Sequence, residues 1–280
     1  MEPSRETDAG PIRGRHPRSS RGAWTIVAIF AVGLAVFTGL MLVPRNKPPA
    51  APAGVPWGAA EEPVSVVACD LSGRQITMEA LAAEIRSAAR ASGAAAADSP
   101  DLLLLDHVGA DDALDLARLM GMQASFRPQH HQRVPSAGGG ASDFVGVGLL
   151  SKHPLYEGGP LRIDRKHSGG MSAVAVVGGR KFRVACVYAA NAEAFGLERL
   201  LAQQKVDGHP PALLGLAGKA GAGVAEFAPV APADDASGMS LLTTRHWRVL
   251  RAGGAGGGLK WYVIAGHEPE SAPATRRAAE

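Results

Sequence analysis

Residues 100–108 read PDLLLLDHV, the most strongly apolar strand pattern of the predicted domain. The four consecutive leucines at 102–105 predict a short strand buried on both faces, because a half-exposed strand would alternate apolar and polar residues. The strand leads directly into Asp106 and His107, a carboxylate beside an imidazole. A central strand with polar residues at its end predicts a buried sheet and a candidate site at its edge.

The neighbouring segments predict a sheet flanked by helices. Residues 64–69 (VSVVAC) predict another buried strand, which leads into Asp70. Residues 77–91 carry apolar side chains at helical spacing, and residues 110–120 carry two acids in their first turn, as the helix dipole favours. Gly121 is a usual helix-ending residue.

The second half of the domain reads mostly as strands, which favours a mixed α/β sandwich over a doubly wound parallel sheet. Residues 126–142 read as a long Gly-rich loop and residues 218–237 as irregular, and Gly178–Gly179 reads as a hairpin turn. The remaining predictions are strands at 144–150, 173–177, 182–188, 212–216, 247–251 and 259–265, and a helix at 197–204.

The chain has 280 residues and a net charge of +3, but the excess of positive charge lies outside the predicted domain. Residues 1–56 hold seven Lys/Arg and three Asp/Glu, whereas residues 57–280 hold 22 and 23. A nucleic-acid-binding surface needs clustered cations on the domain itself. The domain's charge therefore does not support nucleic acid as a partner.

Residues 24–43 (WTIVAIFAVGLAVFTGLMLV) form an uncharged apolar run, long enough for a helix to span a bilayer. A cleavable signal peptide is the alternative, but its apolar region is usually shorter and a small-residue cleavage site should follow closely. Five arginines precede the run, so the positive-inside rule predicts a cytoplasmic N-terminus and an extracytoplasmic domain. The predicted organisation is a disordered tail (1–22), a single-pass membrane helix (23–43), a stiff Pro/Ala-rich linker (44–60), the domain (61–272) and a frayed tail (273–280).

The two cysteines, Cys69 and Cys186, each lie in an apolar run that predicts a strand. Buried thiols are the simpler interpretation. An extracytoplasmic domain also permits a single disulfide between them, and the sequence leaves both open.

Five short segments carry a resemblance to a known family: 100–108 (PDLLLLDHV), 147–155 (VGLLSKHPL), 182–188 (FRVACVY), 212–219 (ALLGLAGK) and 263–269 (VIAGHEP). In this order they resemble the endonuclease/exonuclease/phosphatase family. The resemblance covers nearly all of residues 61–272. It implies two packed mixed sheets flanked by helices, the DNase I-like four-layer sandwich, with the active site at one end. In that family Mg²⁺ bound by carboxylates offsets phosphate charge, and an Asp–His pair with a positioned water performs the attack.

Most of the family's catalytic positions are substituted in this chain. The resemblance places Asp70 where the family has Asn, His107 where it has the metal-binding Glu, and Tyr188 where it has His. Lys219 falls in the segment that replaces the G-D-x-N motif, where a cation could hold an anion. Of the family's catalytic residues, His267 alone is retained.

Two functions of different class follow from these substitutions. The first is a membrane-anchored, catalytically degenerate domain that needs no cofactor and binds an envelope protein or a small anionic ligand. The second is an active metal-dependent phosphodiesterase, phosphatase or nuclease with a site rebuilt around Asp70, Asp106 and His107, using Mg²⁺ or Mn²⁺. Histidine with carboxylates suits Mn²⁺ or Zn²⁺ better than Mg²⁺.

Overall fold

The computed structural model describes residues 49–91, 93, 99–130, 144–162, 168–187, 212–217, 227–229 and 239–267. Within these ranges no helix is long and apolar enough to cross a membrane. The predicted span at 23–43 and the predicted helix at 197–204 lie outside them. The helices are α1 (Met78–Ala91) and α2 (Ala110–Met120). The strands are β1 (Val64–Asp70), β2 (Leu102–Gly109), β3 (Gln123–His130), β4 (Val145–Ser151), β5 (Leu155–Arg162), β6 (Ser168–Val177), β7 (Arg180–Val187), β8 (Ala212–Ala217), β9 (Phe227–Pro229), β10 (Met239–Thr244), β11 (Trp247–Gly254) and β12 (Leu259–Gly266).

The strands form two six-stranded mixed sheets. The first has the order β11-β12-β1-β2-β4-β3, and the second has the order β5-β6-β7-β8-β10-β9. The described parallel pairs are β1 with β2 and β7 with β8, one in each sheet, and the other pairs are antiparallel. Two packed mixed sheets confirm the predicted sandwich.

Alternation along the central strands creates two apolar layers. Leu102 and Leu104 of β2 face the second sheet, whereas Leu103 and Leu105 pack beneath the helices. All four leucines are fully buried. A strand buried on both faces must be apolar at every position, which is why four leucines run in succession.

The two described helices cover the outer face of the first sheet. Leu81 and Ile85 of α1 and Leu116 of α2 are fully buried against it. Gly121 ends α2 in the left-handed conformation, with φ of 66°, as the sequence predicts. These helices and the two sheets account for three layers of the sandwich, and the predicted helix at 197–204 lies outside the described residues.

The hairpin prediction is confirmed, and the loop prediction is wrong at residues 126–130, while residues 131–142 lie outside the described residues. Gly178 and Gly179 join β6 to β7 with φ of 56° and 71°, as a two-residue turn requires. The predicted loop at 126–142 instead begins inside β3, which extends to His130. Strands β5, β9 and β10 were not predicted either. Pro128 made the sequence of β3 resemble a loop, because proline is rare inside sheets. It is tolerated there because β3 is an edge strand.

Residues 49–58, here called the strap, are docked on the domain rather than extended away from it. The backbone N–H of Glu157 donates to the carbonyl of Pro49 over 2.9 Å. The N–H of Lys181 donates to the carbonyl of Pro56 over 3.0 Å. The described part of the predicted linker is therefore part of the domain's surface, bound near the beginnings of β5 and β7.

Cys69 and Cys186 are free and buried. Cys69 packs beneath the helices, whereas Cys186 lies in the layer between the two sheets. Burial raises the pKa of the Cys69 thiol to about 12 and raises that of Cys186 well above its ordinary value. Because the first sheet separates the two thiols, the fold keeps them apart and the buried-thiol interpretation is confirmed.

Candidate functional site

The candidate site lies where the parallel strands β1 and β2 end, at one end of the sandwich, here called the mouth. Asp70 and Asp106 are register partners on these strands. Each lies two residues beyond a side chain that faces the second sheet, Ala68 and Leu104, so both carboxylates point to the inter-sheet side. The side chain of Asp106 is fully buried, and that of Asp70 is 17% exposed.

The side chain of His107 lies between the two carboxylates because the backbone of β2 is irregular at this residue. The pairing of β2 with β4 shifts register between Leu105 and Val108, and His107 there has a φ of 54°. A non-glycine residue in this region is strained, and such strain is common at functional sites. The result places the ring Nδ1 2.9 Å from Asp106 Oδ2 and 3.3 Å from Asp70 Oδ1.

The shared ring nitrogen is a hydrogen-bond donor. Ionised carboxylates only accept hydrogen bonds, so His107 Nδ1 must carry the proton between Asp70 and Asp106. The hydrogen bond to Asp106, and then the one to Asp70, raises the pKa of His107 to about 10. The ring is therefore an imidazolium at neutral pH.

The two carboxylates respond differently to their surroundings. Burial disfavours the charged form of Asp70, but hydrogen bonds from His107 and from the Ser72 backbone, which lies 2.8 Å from Oδ1, outweigh it and lower its pKa. Burial dominates at Asp106 and raises its pKa despite the bond from His107. Asp106 Oδ1 is buried and has no hydrogen-bond partner among the described residues. This buried oxygen is an acceptor that a proton or a cation could still satisfy.

The second sheet ends at the same mouth. The Cys186 thiol of β7 donates to the carbonyl of Leu105 on β2 over 3.4 Å, which aligns the ends of the two strands. Strand β8 runs parallel to β7, with Val187 opposite Leu216. Tyr188 and Lys219 follow these strands in the sequence, but both lie outside the described residues.

The structure does not bring His267 to the mouth. Ile264 of β12 pairs with Val64 at the start of β1, and His267 lies three residues further on. Asp70 lies six residues from Val64 along β1 in the opposite direction. At 3.3 Å per residue, Val64 and Asp70 are about 20 Å apart. The backbone N–H of His267 donates to the carbonyl of His246 over 2.7 Å. The antiparallel register therefore assigns His267 to the other end of the sheet.

The segment that enters β12 beside the mouth is a glycine turn. Leu259 pairs with Cys69, so residues 256–258 (GGG) lie nearest to Asp70 along this strand. No side chain in these three residues can act as an acid, a base or a ligand. The structure thus offers no retained family histidine from this strand at the site.

Lys260 is a residue that the sequence reasoning missed. It lies opposite Ala68 on the inter-sheet face and is 5% exposed. A lysine is rarely so buried without an electrostatic reason. Its position inside the apolar run LKWYVIA is the signal that could have identified it.

A second polar cluster lies at the opposite end of the first sheet. Asp101 Oδ2 accepts hydrogen bonds from the backbone and hydroxyl of Ser65, over 2.8 and 2.7 Å. Asp101 Oδ1 lies 3.1 Å from His153 Nε2. These contacts connect the beginnings of β1 and β2 to the end of β4, so the cluster holds these three strands together at this end of the sheet.

Two solved structures share this architecture. An endonuclease/exonuclease/phosphatase from Beutenbergia cavernae has a TM-score of 0.50 and 14% identity, over 73% of this chain and 72% of that one. The human Nocturnin catalytic domain with bound sulfate anion has a TM-score of 0.51 and 14% identity, over 75% of this chain and 97% of that one. No protein-family model matches the sequence, and no curated protein matches it. The described domain has the endonuclease/exonuclease/phosphatase fold, which is DNase I-like.

Proposed function

We propose that this protein is a membrane-anchored domain of the endonuclease/exonuclease/phosphatase fold that has lost phosphoester hydrolysis and has a binding role at the cell envelope. The observation that carries the proposal is the position of His107 Nδ1 between Asp70 and Asp106, at 3.3 and 2.9 Å. A hydrogen-bond-donating ring nitrogen lies where the resemblance places the carboxylate that binds the metal.

The histidine reverses the chemistry of that position. The family's Glu would supply an oxygen ligand and a negative charge, whereas the Nδ1–H of His107 is a donor and cannot ligate a cation. Its hydrogen bonds also engage one oxygen from each carboxylate. Mg²⁺ prefers near-octahedral oxygen coordination, so two carboxylates already bound to a ring N–H are a poor fit for it.

The other catalytic positions support the same conclusion. Residues 216–219 (LAGK) contain neither Asp nor Asn, and the turn at residues 256–258 contains only glycine. The turn that enters β12 beside the mouth therefore supplies no Asp–His pair of the kind that the resemblance expects for activating water. These substitutions favour non-catalytic binding, with an envelope protein or a small anionic ligand as the partner.

A second candidate function is an active phosphodiesterase, phosphatase or nuclease with a rebuilt Mn²⁺ or Zn²⁺ site. One ligand atom from each of Asp70, Asp106 and His107 lies within 4.8 Å of the others. The buried Oδ1 of Asp106, which has no hydrogen-bond partner among the described residues, favours this function. With the ring deprotonated, these three residues would hold the ion, which would act as a Lewis acid toward a phosphoryl oxygen.

The experiment restores the family's carboxylate. We expect the full-length protein in nanodiscs to hydrolyse neither bis-p-nitrophenyl phosphate nor p-nitrophenyl phosphate with Mg²⁺, Mn²⁺ or Zn²⁺. We expect Mn²⁺ to raise the Tm of His107→Glu, alone or with Asp70→Asn, by more than it raises the Tm of wild type, because the substitution replaces a donor with an oxygen ligand. Glu62→Gln, at an exposed residue, is the control. Metal-dependent turnover by wild type that His107→Gln abolishes would overturn the proposal in favour of the rebuilt site.

The membrane anchor rests on residues 24–43 and needs its own test. We expect the full-length protein to remain with membranes in alkaline carbonate, and protease added outside the cell to digest the domain. Release by carbonate would contradict the anchor while leaving the argument about His107 unaffected.

A further inference from the structure

The strap exposes an apolar sequence. Residues 49–58 read PAAPAGVPWG, in which the Trp57 indole N–H is the only polar side-chain group. Single exposed apolar residues are ordinary on protein surfaces, whereas a contiguous exposed stretch usually marks a contact surface. The exposed residues of the strap are Pro49, Ala50, Pro52, Ala53, Gly54, Pro56 and Trp57.

The strap is held in place and presents Trp57 outward. The N–H of Gly58 donates to the carbonyl of Lys181 over 3.1 Å, and the Lys181 ammonium lies 5.0 Å from the Trp57 ring centroid. The Arg183 guanidinium lies 5.9 Å from the same centroid. Trp57 is nevertheless 36% exposed. Tryptophan has an amphipathic ring and is enriched, as basic residues also are, at the level of the lipid headgroups in membrane proteins.

We propose that the strap is a lipid-contacting surface, which places Trp57 and the loop at 52–56 against the headgroups of the bilayer. The inference rests on the membrane anchor proposed above. Residue 43 ends the apolar run and Pro49 is already docked, so six Cα–Cα steps separate them. Such a chain reaches about 20 Å at most, so a bilayer that holds residues 24–43 lies within that distance of the strap.

The charges around the strap indicate which lipids it contacts. Arg180 is paired with Glu61 over 3.0 Å, and the Glu157 carboxylate accepts from the Ala51 N–H over 3.3 Å. Cations and anions are therefore mixed among the described residues around the strap, so their charge does not strongly select anionic lipids. The contact depends on apolar surface and on the ring, so it forms on zwitterionic as well as anionic bilayers.

The test places a fluorophore on the strap of the full-length protein in liposomes. Gly54→Cys is labelled with bimane, since nothing lies within 4 Å of a Cβ built there, and both natural thiols are buried. Asp111→Cys is the matched control, because α2 covers the outer face of the first sheet, whereas the strap binds strands of the second. The liposomes are phosphatidylcholine, with or without phosphatidylglycerol, and carry headgroup-level spin-labelled lipid as the quencher.

We expect quenching at position 54 to exceed quenching at position 111 several-fold in both lipids. We expect Trp57→Ser to reduce it and Trp57→Phe to retain it. Equal quenching at the two positions, or quenching at 54 that requires an added protein, would overturn the inference. If carbonate extracts the protein, the anchor itself fails. If the protein stays inserted while position 54 is not quenched, the strap inference alone fails.

Discussion

The thiol of Cys186 donates a hydrogen bond to the carbonyl oxygen of Leu105 over 3.4 Å, from one sheet to the other. The next residue after Leu105 is Asp106, whose negative charge adds to the burial that raises the pKa of Cys186. The contact fixes the end of β7 against the end of β2. The mouth is therefore formed by a direct bond between the two sheets and not by loops alone.

Both cysteines should be unreactive in the folded protein. Burial raises the pKa of each thiol, and the thiolate is the form that reacts. We expect Ellman's reagent to modify neither thiol under native conditions and both in denaturant. The mass of the unreduced protein should correspond to two free thiols. Modification of the native protein within minutes would show that one of the layers opens far more readily than its packing indicates.

The stability that His107 contributes should depend on pH. The folded-state pKa of about 10 lies above the unfolded value of about 6.5, so the contribution is complete below about pH 6.5 and is lost as pH rises through 10. We expect the difference in free energy of unfolding between wild type and His107→Gln to narrow between pH 7 and pH 10.5. Nitrogen-15 NMR of the imidazole should find both ring nitrogens protonated at pH 8. A neutral ring at that pH would contradict the hydrogen-bonding scheme.

The sequence predicted the centre of the fold better than its edges. Residues 102–105 were identifiable because a strand buried on both faces is apolar throughout. Strands β3 and β5 lie at sheet edges, where one face and one row of backbone groups need no apolar partner, so QASFRPQH and LYEGGPLR resemble loops. Edge strands lack the local pattern from which a buried strand is recognised.

The candidate site was predicted only in part, for two physical reasons. Asp70 and Asp106 follow neighbouring parallel strands, so their proximity followed from the sequence. The orientation of His107 could not be predicted from the sequence, because it depends on a bulge and a positive φ that have no local sequence pattern. His267 was assigned by a short motif alone, whereas its position depends on the direction in which β12 pairs with β1.

Gly146 should tolerate no side chain. A Cβ at this position in β4 would lie 1.9 Å from the carbonyl oxygen of Arg127, a backbone atom of β3 that cannot rotate away. We expect Gly146→Ala to destabilise the protein by about 3 kcal/mol or more, since the two strands must separate. Gly54→Ala is the control, because nothing lies within 4 Å of its Cβ and it should change the Tm little. Chemical denaturation of the two variants beside wild type measures the difference. Equal stabilities would mean that β3 and β4 are not paired at this register.

Asp101 should stabilise the fold, and its contribution should be lost in acid. Burial alone would raise its pKa, but hydrogen bonds from His153 and Ser65 outweigh burial and lower it. A lowered carboxyl pKa gives stability that is complete above the unfolded value of about 3.9 and is lost as pH falls through the folded value. At pH 7 we expect Asp101→Asn to cost about 1–3 kcal/mol, because an amide accepts fewer hydrogen bonds and loses the charge facing His153.

Denaturation of Asp101→Asn at pH 7 and near pH 3 separates this prediction from a general loss of packing. The deficit relative to wild type should shrink at the lower pH, where Asp101 of the wild type begins to be protonated. Glu62→Gln removes a carboxylate from an exposed position beside the same sheet, and it should stay within about 0.5 kcal/mol of wild type at both values. An Asp101→Asn deficit of the same size at both pH values would show that side-chain shape, and not the ionised carboxylate, holds β1, β2 and β4 together at this end.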